Sequence, residues 1–154
     1  MDAVHSEIKG VYIAVGDAGS SPAVILQTGE DRFIPIFIGL WEAISIHNAL
    51  NGEVFPRPLT HDLFVEFFQK FDIQLKKLYI DSLEEGIYYA RMILFCGDHE
   101  TTLDCRPSDG IALSIRTKTE IFVENGVAES SSQPLQDLPR LINLNEYFVD
   151  GSRS

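Results

Sequence analysis

The sequence predicts an α+β domain with a mixed, mainly antiparallel sheet, in the order β-β-β-α-α-β-β-β-α-β followed by a C-terminal tail. Three observations predict it. Apolar, β-branched runs bounded by short polar turns occupy the beginning and the second half of the chain. Two central segments and one late segment switch to a helical spacing of apolar residues. Strands and helices do not alternate strictly, which argues against a doubly wound parallel sheet.

The elements follow in order. Ile8 to Val15 is a first strand, and the dense turn residues from Gly16 to Pro22 close it. Ala23 to Gln27 is a second strand, with a turn at Gly29-Glu30-Asp31. Arg32 to Ile38 is a third, with Pro35 pointing to an edge or a bulge. Trp41 to Leu50 reads as a helix with Ala43, Ile46 and Leu50 on one face and Gly52 as its stop. After Phe55-Pro56-Arg57-Pro58, Thr60 is the expected N-cap of a second helix, and Asp62 complements its dipole. Leu63, Phe64, Phe67, Phe68 and Phe71 form its apolar stripe. Gln74 to Leu83, Ile87 to Phe95 and Glu100 to Cys105 are strands. Pro107 opens a third helix to about Thr117, and Glu120 to Glu124 is the last strand.

After Gly126 the texture changes. Residues 1–128 are expected to form one domain, and residues 129–154 a Ser/Pro linker with an apolar tail. The tail residues Leu135 to Phe148 could dock on the domain, on a second subunit or on a partner, and a homo-oligomer is expected. Residues 151–154 should fray.

Composition limits the function. The chain has 154 residues, 45% of them hydrophobic, enough for one real core. Twelve Lys and Arg stand against 23 Asp and Glu, for a net charge of -11 and a pI near 4.6. Binding of RNA or DNA through a broad basic face is disfavoured, although a small site with a few arginines remains compatible. The two cysteines, Cys96 and Cys105, flank a turn, so their register forbids a disulfide, and both read as reduced core residues. The first ten residues lack an apolar signal core and no run is long enough to span a bilayer. A cytoplasmic protein with no membrane contact is therefore expected.

Two helix entries share one pattern: Arg57-Pro58-Leu59-Thr60-His61-Asp62 and Arg106-Pro107-Ser108-Asp109. Proline, a hydroxyl residue and an acid are what a helix start favours by itself. Arginine is not, because it opposes the dipole. Beside free backbone N–H groups it makes an anion site, and with a local carboxylate it makes an ion pair. Arg57, Arg106, Thr60 and Ser108 are thus candidates for holding a phosphate. His61, Asp62, Glu42 and Asp109 are candidates for catalysis, with His61 as general base. Glu42, Asp62, Asp104 and Asp109 are candidate oxygen ligands for Mg²⁺ or Mn²⁺ if they converge. No phosphate-cradling glycine loop, zinc spacing, dinucleotide fingerprint or nucleophile elbow is present.

Ile38-Gly39 with Glu42-Ala43, the Arg57 to Asp62 block, and Asp104 with Arg106 to Asp109 and Ile111-Ala112-Leu113 resemble the bifunctional nuclease domain family. Tyr89-Ala90-Arg91 and Ile121-Phe122-Val123 fit the same pattern, and the resemblance spans Ile8 to Val127. It implies a compact α+β domain and the nuclease activity on RNA and DNA attributed to some plant members. Cys105 and Gly110 depart from the family pattern, and the tail does not match the extra C-terminal segment of plant members. Three functions follow: a phosphodiesterase, metal-assisted or not; a binding or regulatory module for a small anionic or nucleotide ligand; and a structural role in which the Arg-Pro blocks fasten helices.

Overall fold

A computed structural model describes residues 2–151, without the side chains of residues 148–151. The chain runs β1 (Ala3–Gly16), β2 (Gly19–Gly29), β3 (Arg32–Phe37), α1 (Leu40–Leu50), α2 (Thr60–Lys70), β4 (Ile73–Glu84), β5 (Ile87–Cys96), β6 (His99–Cys105), α3 (Pro107–Thr117) and β7 (Glu120–Glu124). It continues with α4 (Asn125–Ser131), a 3₁₀ turn (Leu135–Asp137), β8 (Arg140–Asn143) and α5 (Leu144–Gly151). Through β7 this is the expected order. Residues 152–154 of the end expected to fray, and the side chain of Phe148, fall outside the described residues.

The sheet order is β3-β2-β1-β7-β4-β5-β6, with β8 on β1. Among the described residues only the β4–β7 pairing is parallel, so the sheet is mixed and mainly antiparallel. β3 is an edge strand, as Pro35 requires. The long β1 serves two partners along one edge: Ala3 to Ser6 pairs with β7 and Tyr12 to Val15 with β8. A register shift between Ile8 and Gly10 separates the two stretches.

The helices α1, α2 and α3 cover one face, and their buried residues join those of the strands in one core around Ile46, Leu78, Ile80, Ile111 and Val123. Ala23 to Leu26 of β2 is buried on both faces, which is why it reads as an unbroken apolar run. Val24 and Leu26 enter the main core. Ala23, Ile25 and Phe33 enter a second cluster closed by Tyr12, Leu138 and Leu141. Gly110 of α3 lets helix and sheet approach: a Cβ there would lie 2.5 Å from Leu78 Cδ1 and 3.1 Å from Cys105 Sγ.

Several expectations are corrected. The segment from Glu129 to Pro134 is not a free linker. Glu124 accepts a hydrogen bond from the Val127 N–H, Val127 and Ala128 are buried, and α4 forms. Gln133 then pairs with Phe33 through two backbone hydrogen bonds of 2.8 and 2.9 Å. The tail docks on the domain through β8 and the buried Leu144, so β7 is not the last strand. His5, which precedes the first strand expected from the sequence, lies in β1 opposite Phe122. Cys96 is exposed rather than in the core, though its register partner is His99 and that of Cys105 is Ala90, so no disulfide joins them. Leu59, not Thr60, is the N-cap residue of α2. Leu50 is exposed, and of the apolar stripe on α2 only Phe68 is buried. Among the described residues no helix is long and apolar enough to cross a membrane.

Candidate functional site

Three helix starts meet above the sheet. Each of α1, α2 and α3 carries an acid at its third position: Glu42, Asp62 and Asp109. An acid there suits the positive end of the helix. Of the three, Asp62 is the one that accepts the backbone N–H of its own cap residue, Leu59, at 3.1 Å. Glu42 folds over Gly39 instead, and a Cβ at Gly39 would lie 2.3 Å from Glu42 Oε2.

Side chains from the three helices join in one polar chain. Arg106, the N-cap residue of α3, donates Nε to Asp109 Oδ2 at 2.9 Å and Nη2 to Asp109 Oδ1 at 3.2 Å. Its Nη1 donates to Glu42 Oε1 at 3.0 Å. His61 Nε2 lies 2.9 Å from Asp109 Oδ1, and its Nδ1 lies 2.6 Å from Ser45 Oγ. Arg116, near the end of α3, donates to Asp62 Oδ1 at 2.8 Å, to the Ala112 carbonyl at 2.9 Å, and to the Ser45 carbonyl and Oγ at 3.2 Å each.

The electrostatics fix the protons. Burial raises the Asp109 carboxyl, but Arg106 and His61 outweigh it and hold it below the usual carboxylate value. Burial likewise raises Asp62, and Arg116 with the Leu59 N–H brings it below. An ionised Asp109 can only accept, so His61 Nε2 carries the proton. In neutral His61, Nδ1 is then the acceptor and Ser45 donates to it. The order of donation runs Arg116 to Ser45 to His61 to Asp109. Two arginines face three carboxylates, so with neutral His61 the cluster carries one net negative charge.

Arg106 and Glu42 stand between two clefts and line both. One cleft, of about 500 Å³, includes Phe37, Gly39, Ile87, Tyr88 and Ser108. The other, of about 720 Å³, includes Trp41, Ser45, Phe55, Thr60, His61 and Asp109. The Arg106 side chain is 66% exposed there, whereas that of Arg116 is 10% exposed and works inside the fold.

The sequence candidates divide accordingly. Glu42, His61, Arg106, Asp109, Thr60 and Ser108 line one or both clefts. Asp62 turns to Arg116 on the far side of α2 and lines a separate groove. Asp104 is exposed on β6 opposite Arg91, because the strand ends at Cys105 and alternation does not carry to Arg106. Arg57 is exposed and lines neither cleft, so the two Arg-Pro blocks are not equivalent. The four candidate carboxylates do not converge. Among the described residues no three His, Cys, Asp or Glu side chains gather as a cation site, and both carboxylates at the clefts are on Arg106.

Ser45 and Arg116 were not among the sequence candidates. Ser45 lies three residues after Glu42, and Arg116 seven after Asp109. Both spacings return to the same helix face, which is the signal that points to them.

The bifunctional nuclease domain matches residues 24–136 of this chain. An uncharacterized protein of Mycobacterium tuberculosis is 34% identical over 132 residues, 85% of this chain and 79% of its own length. Bifunctional nuclease 2 of Oryza sativa subsp. japonica is 27% identical, over 82% of this chain and 40% of its own length. Bifunctional nuclease 1 of Arabidopsis thaliana is 23% identical over the same shares.

Proposed function

The chain belongs to the bifunctional nuclease domain family, and from that premise we propose that it hydrolyses phosphodiester bonds of RNA or DNA where Arg106 and Glu42 meet. The observation that carries this is the pair itself: an exposed guanidinium and a carboxylate that wall both clefts. A phosphodiester takes over one of the two carboxylate positions on Arg106, whose planar fork matches phosphate oxygens. Glu42 is the partner that yields. It makes one hydrogen bond to Arg106 where Asp109 makes two. Once released, Glu42 accepts a proton from the attacking water as the water oxygen bonds to phosphorus. Arg106 stabilises the charge gathering on the phosphorus oxygens, and the P–O bond to the leaving sugar oxygen breaks, that oxygen taking its proton from solvent water.

His61 then has a positioning role. Both of its ring nitrogens are engaged, one on Ser45 and one on Asp109, so it faces the chemistry through Asp109 and Arg106. The net charge of -11 favours short, single-stranded substrates over a duplex held by many phosphates.

The test is cleavage of labelled single-stranded RNA and DNA by purified protein, with Mg²⁺, with Mn²⁺ and with EDTA. Arg106→Ala and Glu42→Gln should each lose at least about 100-fold in kcat/KM, while Arg57→Ala keeps its activity. Cleavage unchanged in Arg106→Ala would sink this assignment. A second reading, a module that binds a small anion or nucleotide without turnover, is favoured by the full engagement of His61 and Asp109. Saturable nucleotide binding, lost in Arg106→Ala and yielding no product, would select it.

A further inference from the structure

The outward face of α2 has the composition of a core, and none of the described residues covers it. Leu59, Leu63, Phe67 and Phe71 recur every fourth residue and are 38%, 57%, 50% and 61% exposed. The opposite face, through Phe68 and Val65, already packs on the core. The stripe is therefore surplus to the fold of one chain. Trp41, 79% exposed, and Phe55 line the same cleft as Leu59 and extend the apolar surface beyond the helix.

We propose that this face is the interface with a second copy of the same chain. Three observations select that occupant. The first is area. At roughly 150–250 Å² per aromatic side chain, the stripe, Phe64, Trp41 and Phe55 expose on the order of 700 Å², close to the ~800 Å² per partner of a stable interface. The second is charge. From Leu63 to Phe71 the face carries one exposed acid, Glu66, and one exposed base, Lys70, so it is neutral in a chain of net charge -11. Two copies can meet there without opposing their net charges. Between Leu63 and Phe71 a polyanion would find a single lysine.

The third is symmetry. Leu63 lies four residues before Phe67 and Phe71 four after it. An antiparallel pairing about a two-fold axis at Phe67 sets Leu63 of each copy against Phe71 of the other, as an isologous contact requires. The interface goes beyond the hydrolytic reading and stands without it. It also borders the site, because Trp41, Phe55 and Leu59 share a cleft with His61 and Asp109.

The experiment is sedimentation equilibrium of the full chain from about 1 to 100 μM, read beside Trp41 emission, since Trp41 is the single tryptophan of the sequence. The expected result is a mass of twice the 17.3 kDa chain at high concentration, with emission moving to the red as the dimer dilutes. Phe67→Glu and, separately, Leu63→Gln should weaken association at least ~30-fold, the effect of a central anchor, with circular dichroism unchanged. The exchange Glu66→Lys with Lys70→Glu keeps the face neutral and should keep the dimer. A monomer at 100 μM overturns the proposal, whether or not oligonucleotide or lipid vesicles shift Trp41. So does an oligomer whose mass neither Phe67→Glu nor Leu63→Gln changes.

Discussion

His61 Nε2 stands 2.9 Å from Asp109 Oδ1, two residues separated by 48 positions in the chain. This contact ties α2 to α3, and through Asp109 it sets where the Arg106 guanidinium points.

The first prediction is the protonation of that ring. With Asp109 ionised, neutral His61 should carry its proton on Nε2 and accept from Ser45 at Nδ1. Long-range ¹H–¹⁵N spectra at pH 7.5, assigned with His61→Gln, should show this tautomer. Ser45→Ala should move the Nδ1 resonance most. A ring protonated on Nδ1 alone would contradict the donor order.

Acid stability follows from the depressed carboxyls. The folded values of Asp62 and Asp109 lie below 3.8. Their contribution is fully present above the unfolded-state value and is lost as pH falls through it toward the folded value. Urea midpoints should fall steadily from about pH 5 downward. Asp109→Asn should be less stable than the parent at pH 7, with the difference shrinking toward pH 2.5.

The two thiols should differ in reactivity. Burial first, then Asp109 and Asp104, push Cys105 up to about 12, while Cys96 is exposed. A thiol-reactive disulfide reagent at pH 8 should titrate one fast group in native protein and two in denaturant. Cys96→Ser should abolish the fast phase.

Gly39→Ala should separate the site from the fold. The backbone of Gly39 is ordinary for alanine, at φ -74 and ψ 161. The three atoms nearest its new Cβ would all belong to the Glu42 carboxyl group. Thermal stability should change by less than about 1 kcal/mol, while any hydrolysis that depends on Glu42 falls sharply. A variant equal to the parent in activity would remove Glu42 from the chemistry.

Much of the fold was legible because local rules and global packing agree. Pro107 and Asp109 mark the start of α3, the Glu84 to Gly86 turn marks the β4–β5 hairpin, and Pro35 marks an edge strand; the chain obeys each. Local rules failed where the deciding contact is distant. The serines near 130 look like a linker, but Gln133 finds its backbone partner at Phe33, a hundred residues earlier. The phenylalanines of α2 look like core, yet periodicity reports only that a face is apolar, not what will cover it.

The sequence by itself determined the elements, the family pattern and the acid at the third position of each of three helices. Only the tertiary structure decided that Arg106 faces the clefts while Arg57 does not, and that Asp62 serves Arg116. It also decided that Ser45 and His61 complete a chain of hydrogen bonds. Helix-start chemistry is local and acts over one turn. Ion-pair choice depends on which side chains from separate helices come within about 3 Å, and that distance exists only once the sheet has set the helices side by side.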